Sequence, residues 1–125
     1  MTVEAPEFAR PVYCYRVVKV VKVVDADTID VLLDVGFHTY LQKRLRFLKI
    51  DTWEVRGSER EQGLIAKDRL IELLDESDNV YVQTEMDAEG KYGRVLAWVW
   101  AEKGAAITNL NDQLLIEGHG DLYGS

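Results

Sequence analysis

Hydrophobic and polar positions along the chain change period several times, and each change marks an element. Residues 12 to 24 are dense in β-branched and aromatic types, and Ile29, Val31, Leu33 and Val35 then alternate with Asp30 and Asp34. This predicts two strands joined by the tight segment Asp25-Ala26-Asp27. The Asp34-Val35-Gly36-Phe37 turn leads into a third strand, roughly Thr39 to Ile50. Alternation there puts Arg44, Arg46, Leu48 and Ile50 on one face and Leu45 and Phe47 on the other.

A period near 3.6 then takes over. Ser58-Glu59-Arg60-Glu61 has the form of a capping box, in which a serine oxygen and a glutamate satisfy backbone N–H groups reciprocally. The helix it opens runs to about Asp75, with Ala66, Leu70, Leu73 and Leu74 as one apolar stripe. Val80 to Met86 and Val95 to Ala101 read as two further strands around Glu89-Gly90-Lys91-Tyr92-Gly93, whose glycines suit a hairpin. Ile107 to Glu117 reads as a second helix stopped by Gly118. Five strands with a helix after the third and another after the fifth predict an α+β, mainly β fold. Its expected form is a five-stranded barrel of the oligonucleotide/oligosaccharide-binding (OB) type with two to three packed helices.

Composition narrows the picture. The chain has 125 residues, 47% of them apolar, which suits one domain over residues 12–125 after a loose segment, 1–11; the last eight residues also read as a loose end. No stretch approaches the ~20 apolar residues that span a bilayer, and the charged N-terminal region lacks the apolar run of a secretory signal, so a cytoplasmic protein away from membranes is expected. Cys14 is the single cysteine; it excludes an internal disulfide and is expected to be an inert core residue. Fifteen Lys and Arg against 22 Asp and Glu give a formal charge of −7, which opposes non-specific coating of a phosphate backbone. A nucleic-acid function would therefore need a local cationic cluster. Lys43, Arg44, Arg46, Lys49, Arg56, Arg60, Lys91 and Arg94 supply candidates.

The hairpin geometry brings Asp27, entering strand two, and Asp51, leaving strand three, to the same end. Two converging carboxylates make a site for a hard cation, and the Thr52 carbonyl could add an oxygen. With no nearby His or Cys, zinc does not fit. Glu54, three residues after Asp51, is placed to accept a proton from a cation-adjacent water. Arg46 and Arg94 present planar forks that match phosphate oxygens. Taken singly, each has a plainer explanation: Asp27 a turn residue, Asp51 a strand-end cap, Glu54 a solvated loop residue, the arginines surface ion-pair partners. Together they form the minimum kit for metal-assisted phosphoryl transfer. Trp98 and Trp100 could stack bases, but core packing is the expectation; His38 and His119 have no ligating partner in sequence and are expected to titrate in solvent.

The segments Val24-Asp25-Ala26-Asp27-Thr28, Leu45-Arg46-Phe47-Leu48-Lys49-Ile50-Asp51-Thr52-Trp53-Glu54 and Lys91-Tyr92-Gly93-Arg94-Val95-Leu96-Ala97 resemble the staphylococcal nuclease family, in order from about residue 17 to 118. The resemblance implies a barrel with packed helices and Ca²⁺-dependent cleavage of DNA and RNA that leaves 3′-phosphates. It implies that Asp27, Asp51 and Thr52 hold calcium, with Mg²⁺ or Mn²⁺ as other ions the carboxylates accept. It further implies that Arg46, Glu54 and Arg94 are catalytic and that Lys91 and Tyr92 touch the nucleotide. Two positions depart from the family pattern: Ala26 stands for a usual glycine, and Trp53 for the proline of D-T-P-E. The alternative is a catalytically silent module of the same fold that binds nucleic acid or protein. A monomer without an obligate protein partner is expected.

Overall fold

The computed structural model describes residues 3–8, 12–86 and 95–123. Residues 3–8 carry no regular secondary structure and are exposed. The long strands are β1 (Cys14–Asp25), β2 (Thr28–Asp34), β3 (Tyr40–Phe47), β5 (Asn79–Met86) and β6 (Val95–Lys103). Three short strands join them: β4 (Ile50–Thr52), β7 (Ala106–Asn109) and β8 (Gly120–Leu122). A 3-10 turn, Gly57–Glu59, leads into helix α1 (Arg60–Asp75), and α2 (Leu110–Ile116) follows β7. No helix among the described residues is long and apolar enough to cross a membrane.

The sheet order is β3-β2-β1-β5-β6-β7, and a parallel pairing of β3 with β6 closes the first five of these strands into a barrel. Leu45, Arg46 and Phe47 lie opposite Val95, Leu96 and Ala97 in that closure. This is the expected five-stranded OB-type barrel with packed helices. Ile29, Val31, Leu45, Phe47, Val82 and Val99 fill its interior, and Ala66, Leu70 and Leu74 of α1 with Leu110 and Leu114 of α2 complete the core.

β1 is the strand that bends the barrel. Its sequence repeats Val-Val-Lys, a period of three that would send hydrophobic side chains alternately in and out of a flat strand. The pairing with β2 slips between Val17 and Lys19, again between Val20 and Lys22, and again between Val23 and Asp25. Each slip inserts one extra residue and increases the local twist. The outcome keeps Val17, Val20 and Val23 against the core while Val18 and Val21 are exposed.

Several local expectations are corrected. The third strand does not run to Ile50: it stops at Phe47, and a turn with Lys49 at φ 67 separates it from β4. The capping box does not form: Ser58 falls within the 3-10 turn, α1 begins at Arg60 with Glu59 as N-cap, and no side-chain cap bond is made there. Cys14 is exposed, since it sits on the outer face of β1. Ala97, Val99 and Ala101 take the inner face of β6, so Trp98 and Trp100 lie half-buried on the outside, opposite Gln83 and Tyr81. His119 is largely covered, beside Glu117. Residues 120–122, expected to be part of a loose end, form β8, which pairs with β4.

Two interactions hold the helices. Asn111, 3% exposed, donates from Nδ2 to Leu48 O (2.8 Å) and Ala97 O (2.9 Å), and its Oδ1 accepts from Val99 N–H (2.9 Å). It fills the stretch of β6 between the β3 pairing, which ends at Ala97, and the β7 pairing, which begins at Trp100. Arg69 of α1 grips Glu117 at the end of α2 through Nε–Oε1 (2.7 Å) and Nη2–Oε2 (3.0 Å).

Candidate active site

The end of the barrel at which β1 turns into β2 and β3 turns into β4 carries a cleft of about 340 Å³. Asp25, Asp27, Arg44, Arg46, Asp51, Thr52, Glu54 and Arg56 contribute to its lining. The fold thus brings Asp27, Arg46, Asp51, Thr52 and Glu54, predicted from separate segments, to one place. Arg94, Lys91 and Tyr92 lie outside the described residues.

Asp27 is buried at the β1–β2 turn, so its carboxylate must find partners within the protein. Oδ1 accepts from Thr28 Oγ1 (2.9 Å), and Oδ2 accepts from Thr52 N–H (2.9 Å), 25 residues away. That second bond joins the two sequence motifs directly. The Asp27 carbonyl also accepts from Phe47 N–H (2.8 Å), which fixes the turn against the end of β3.

Arg46 points away from the core side chains Leu45 and Phe47, yet its side chain is only 14% exposed. Nη1 donates to Phe47 O (3.0 Å) and Ile50 O (2.7 Å), carbonyls that the left-handed turn at Lys49 directs inward. Nη1 also lies 3.3 Å from Asp27 Oδ2, and Nη2 donates to Asp51 Oδ1 at 3.3 Å. One guanidinium therefore lies between two carboxylates, one buried and one, Asp51, largely exposed to the cleft. Tyr123 lies over Arg46, 5.6 Å from ring centroid to guanidinium carbon. Tyr123 reaches that position because its N–H donates to Lys49 O (3.0 Å) beyond β8. Sequence reasoning missed this residue; the sole signal was the apolar pair Leu122-Tyr123 in an otherwise polar tail.

The segment after Asp51 is fixed by its backbone. Thr52 N–H is held by Asp27, Trp53 N–H by His119 O (3.3 Å), Glu54 N–H by Glu59 Oε2 (3.0 Å) and Val55 N–H by Asp25 Oδ1 (3.3 Å). Gly120 lets β8 come this close: a Cβ there would stand 2.4 Å from Asp51 O. Glu54 itself is exposed at the cleft.

Not every candidate cation is available to a ligand. Arg44 is engaged bidentately by Asp30, Nε to Oδ1 at 2.8 Å and Nη2 to Oδ2 at 3.0 Å. Hydrogen bonding from that guanidinium holds the Asp30 carboxyl below its ordinary range. Arg56 is exposed at the cleft lip.

The donor set suits a hard divalent cation. Asp27 and Asp51 already converge on one cationic group, and the buried Thr52 Oγ1 beside Asp27 has no hydrogen-bond partner among the described residues. No group of three or more His, Cys, Asp or Glu among the described residues is arranged to hold a metal ion by itself, so solvent would complete such a shell.

Barrel closure, helices and the cleft at the strand ends define an OB-type protein with a nuclease-like fold. The family model described as Staphylococcal nuclease homologue matches residues 44–124, more than half of the chain, and the chain belongs to that family. A search of curated proteins found no match to this chain.

Proposed function

We propose that this protein is a calcium-dependent nuclease that hydrolyses phosphodiester bonds of DNA and RNA and leaves 3′-phosphates. The observation that carries the proposal is the convergence of Asp27 and Asp51 on Arg46 at a cleft that Glu54 also lines.

On this reading Asp27, Asp51 and the Thr52 carbonyl hold the cation. The chemistry it supplies there is neutralisation of phosphate charge and acidification of a nearby water. Arg46, with its rigid seat on two carbonyls, and Arg94 stabilise the charge that redistributes over the phosphate oxygens in the transition state. Glu54 orients the attacking water and accepts its proton. Attack at phosphorus breaks the bond to the 5′-oxygen, which leaves with the bonding electron pair and takes a proton from solvent, and the phosphate stays on the 3′-oxygen. Lys91 and Tyr92 contact the nucleotide. Arg46 and Glu54 together favour hydrolysis over a silent binding module, because binding alone requires no group placed to activate water.

The test is hydrolysis of single-stranded DNA and RNA by the purified protein. The expected outcome is cleavage with added Ca²⁺, none in chelator, and a loss of about 10²- to 10³-fold in Arg46→Ala. Chelator-resistant cleavage, or full-rate cleavage by Arg46→Ala, refutes the proposal. Parallel rates with Mg²⁺ and Mn²⁺ fix the metal preference.

A further inference from the structure

The residue at the centre of the proposed hydrolysis, Glu54, stands on a loop where proline would usually stiffen the chain and Trp53 is found instead. Its side chain is exposed, so packing does not fix it. What fixes the loop is a pair of carboxylates to which the resemblance gives no role. Glu59 Oε2 accepts the N–H of Glu54 itself (3.0 Å), and Asp25 Oδ1 accepts that of Val55 (3.3 Å).

The two anchors come from opposite sides. Asp25 is the last residue of β1 and belongs to the barrel wall. Glu59 is the N-cap of α1, and its carboxylate has left the ordinary capping role. Four residues further along, on the same side of that helix, Gly63 is buried against the Glu54 carbonyl: a Cβ at Gly63 would stand 1.9 Å from Glu54 O. The first turn of α1 therefore holds the peptide groups on both sides of Glu54, one by a charged acceptor and one by close backbone contact. Ala66, Leu70 and Leu74 fasten the same helix to the core, so the seat is rigid.

We propose that Glu59, assisted by Asp25, is a positioning residue that fixes the backbone of Glu54 and so aims its carboxylate into the cleft. The inference rests on the nuclease reading above. A hydrogen bond to a carboxylate is stronger than one between neutral groups, and a misplacement of about 1 Å at a reacting group can cost up to about 10²-fold in rate.

The experiment compares wild type, Glu59→Ala and Glu59→Gln in Ca²⁺-supported hydrolysis of single-stranded DNA, with amide hydrogen exchange read at Glu54 and Val55. Expected for Glu59→Ala is a fall in kcat of about tenfold or more with KM within about twofold. The Glu54 amide should also exchange faster while Val82 and Val99 in the barrel stay protected. Glu59→Gln should recover most of both, because its side-chain carbonyl accepts the same N–H without the charge. Three results overturn the positioning role in an active protein: unchanged kcat in Glu59→Ala despite a deprotected Glu54 amide, a change confined to KM, or a Gln variant as slow as the Ala variant. An inactive wild type overturns the nuclease reading and the positioning role with it. Activity in wild type with an indifferent Glu59→Ala overturns the positioning role alone.

Discussion

Replacing Asn111 tests how the barrel supports the cleft. The side chain is buried and makes three hydrogen bonds, to Leu48 O, Ala97 O and Val99 N–H. In Asn111→Ala, Ala97 O keeps the N–H of Leu48 (2.9 Å), but Val99 N–H and Leu48 O lose the partner described for them. A buried polar group left unsatisfied costs about 1–3 kcal/mol. Val99 N–H is buried and falls toward the upper figure; Leu48 is half-buried, so water recovers part of its loss. The expected loss is about 2–4 kcal/mol, a large share of the roughly 5–15 kcal/mol that holds a domain together.

Asn111→Asp sharpens the test. It keeps an acceptor for Val99 N–H but turns a carboxylate toward two carbonyl oxygens. Its folded-state pKa should therefore rise above the unfolded value of about 3.9, so its stability is fullest below that value and is lost as pH rises through the folded-state pKa. Urea denaturation followed by tryptophan fluorescence measures both variants. The midpoint should fall by on the order of 1–2 M for Asn111→Ala with the slope unchanged. A loss below about 1 kcal/mol at neutral pH in both variants would refute the view that Asn111 completes the barrel hydrogen bonding.

Two further outcomes follow from the helices. Hydrogen bonding from Arg69, reinforced by Gln113 and opposed by burial, pulls the Glu117 carboxyl from 4.5 down to about 2. A depressed folded-state value means stability that is present above the unfolded pKa and lost as pH falls through about 4.5 toward about 2. Glu117→Gln should flatten the stability-against-pH curve in that window, and an unchanged slope in chemical denaturation at stepped pH counts against the pair. Gly63→Ala should lower Tm although alanine is the better helix former by about 1 kcal/mol, because the added Cβ meets the Glu54 carbonyl. A Tm equal to or above wild type would show that the helix and loop are not in the close contact described.

The barrel was legible in the sequence where one period governed an element. Alternation in β2 follows from side-chain direction alone, and β5 and β6 pair antiparallel as expected, while the Glu89–Gly93 turn predicted between them lies outside the described residues. β1 was read as a strand, but its period of three signals repeated bulges, which depend on the pairing with β2 and so appear only when both strands are in place. The third strand was read through Leu48-Lys49 because nothing in those residue types demands a left-handed turn. That turn is what supplies Phe47 O and Ile50 O to Arg46. The motif residues Asp27, Arg46, Asp51, Thr52 and Glu54 were found by type and spacing, whereas Glu59, Asp25 and Tyr123 act through backbone groups or across β8, and no local pattern encodes that. The capping box of Ser58 and Glu61 fails because α1 starts after the 3-10 turn, with Glu59 as N-cap, and residue types alone do not fix that start.

The acidic balance of the chain and the proposed hydrolysis of a polyanion meet in the cleft. Its lining holds four carboxylates, Asp25, Asp27, Asp51 and Glu54, against three guanidiniums, Arg44, Arg46 and Arg56, a formal −1 from these side chains. Asp30 further offsets Arg44. A phosphate approaching these groups is repelled on balance, and the rest of a chain whose net charge is −7 reinforces that. A divalent cation held by Asp27 and Asp51 would reverse the sign of that local sum. On the proposed reading the cation therefore decides whether substrate binds as well as whether water is activated, and the chelator arm of the nuclease assay should abolish DNA binding together with cleavage. A site that bound DNA equally well in chelator would place the attraction in residues beyond this cleft.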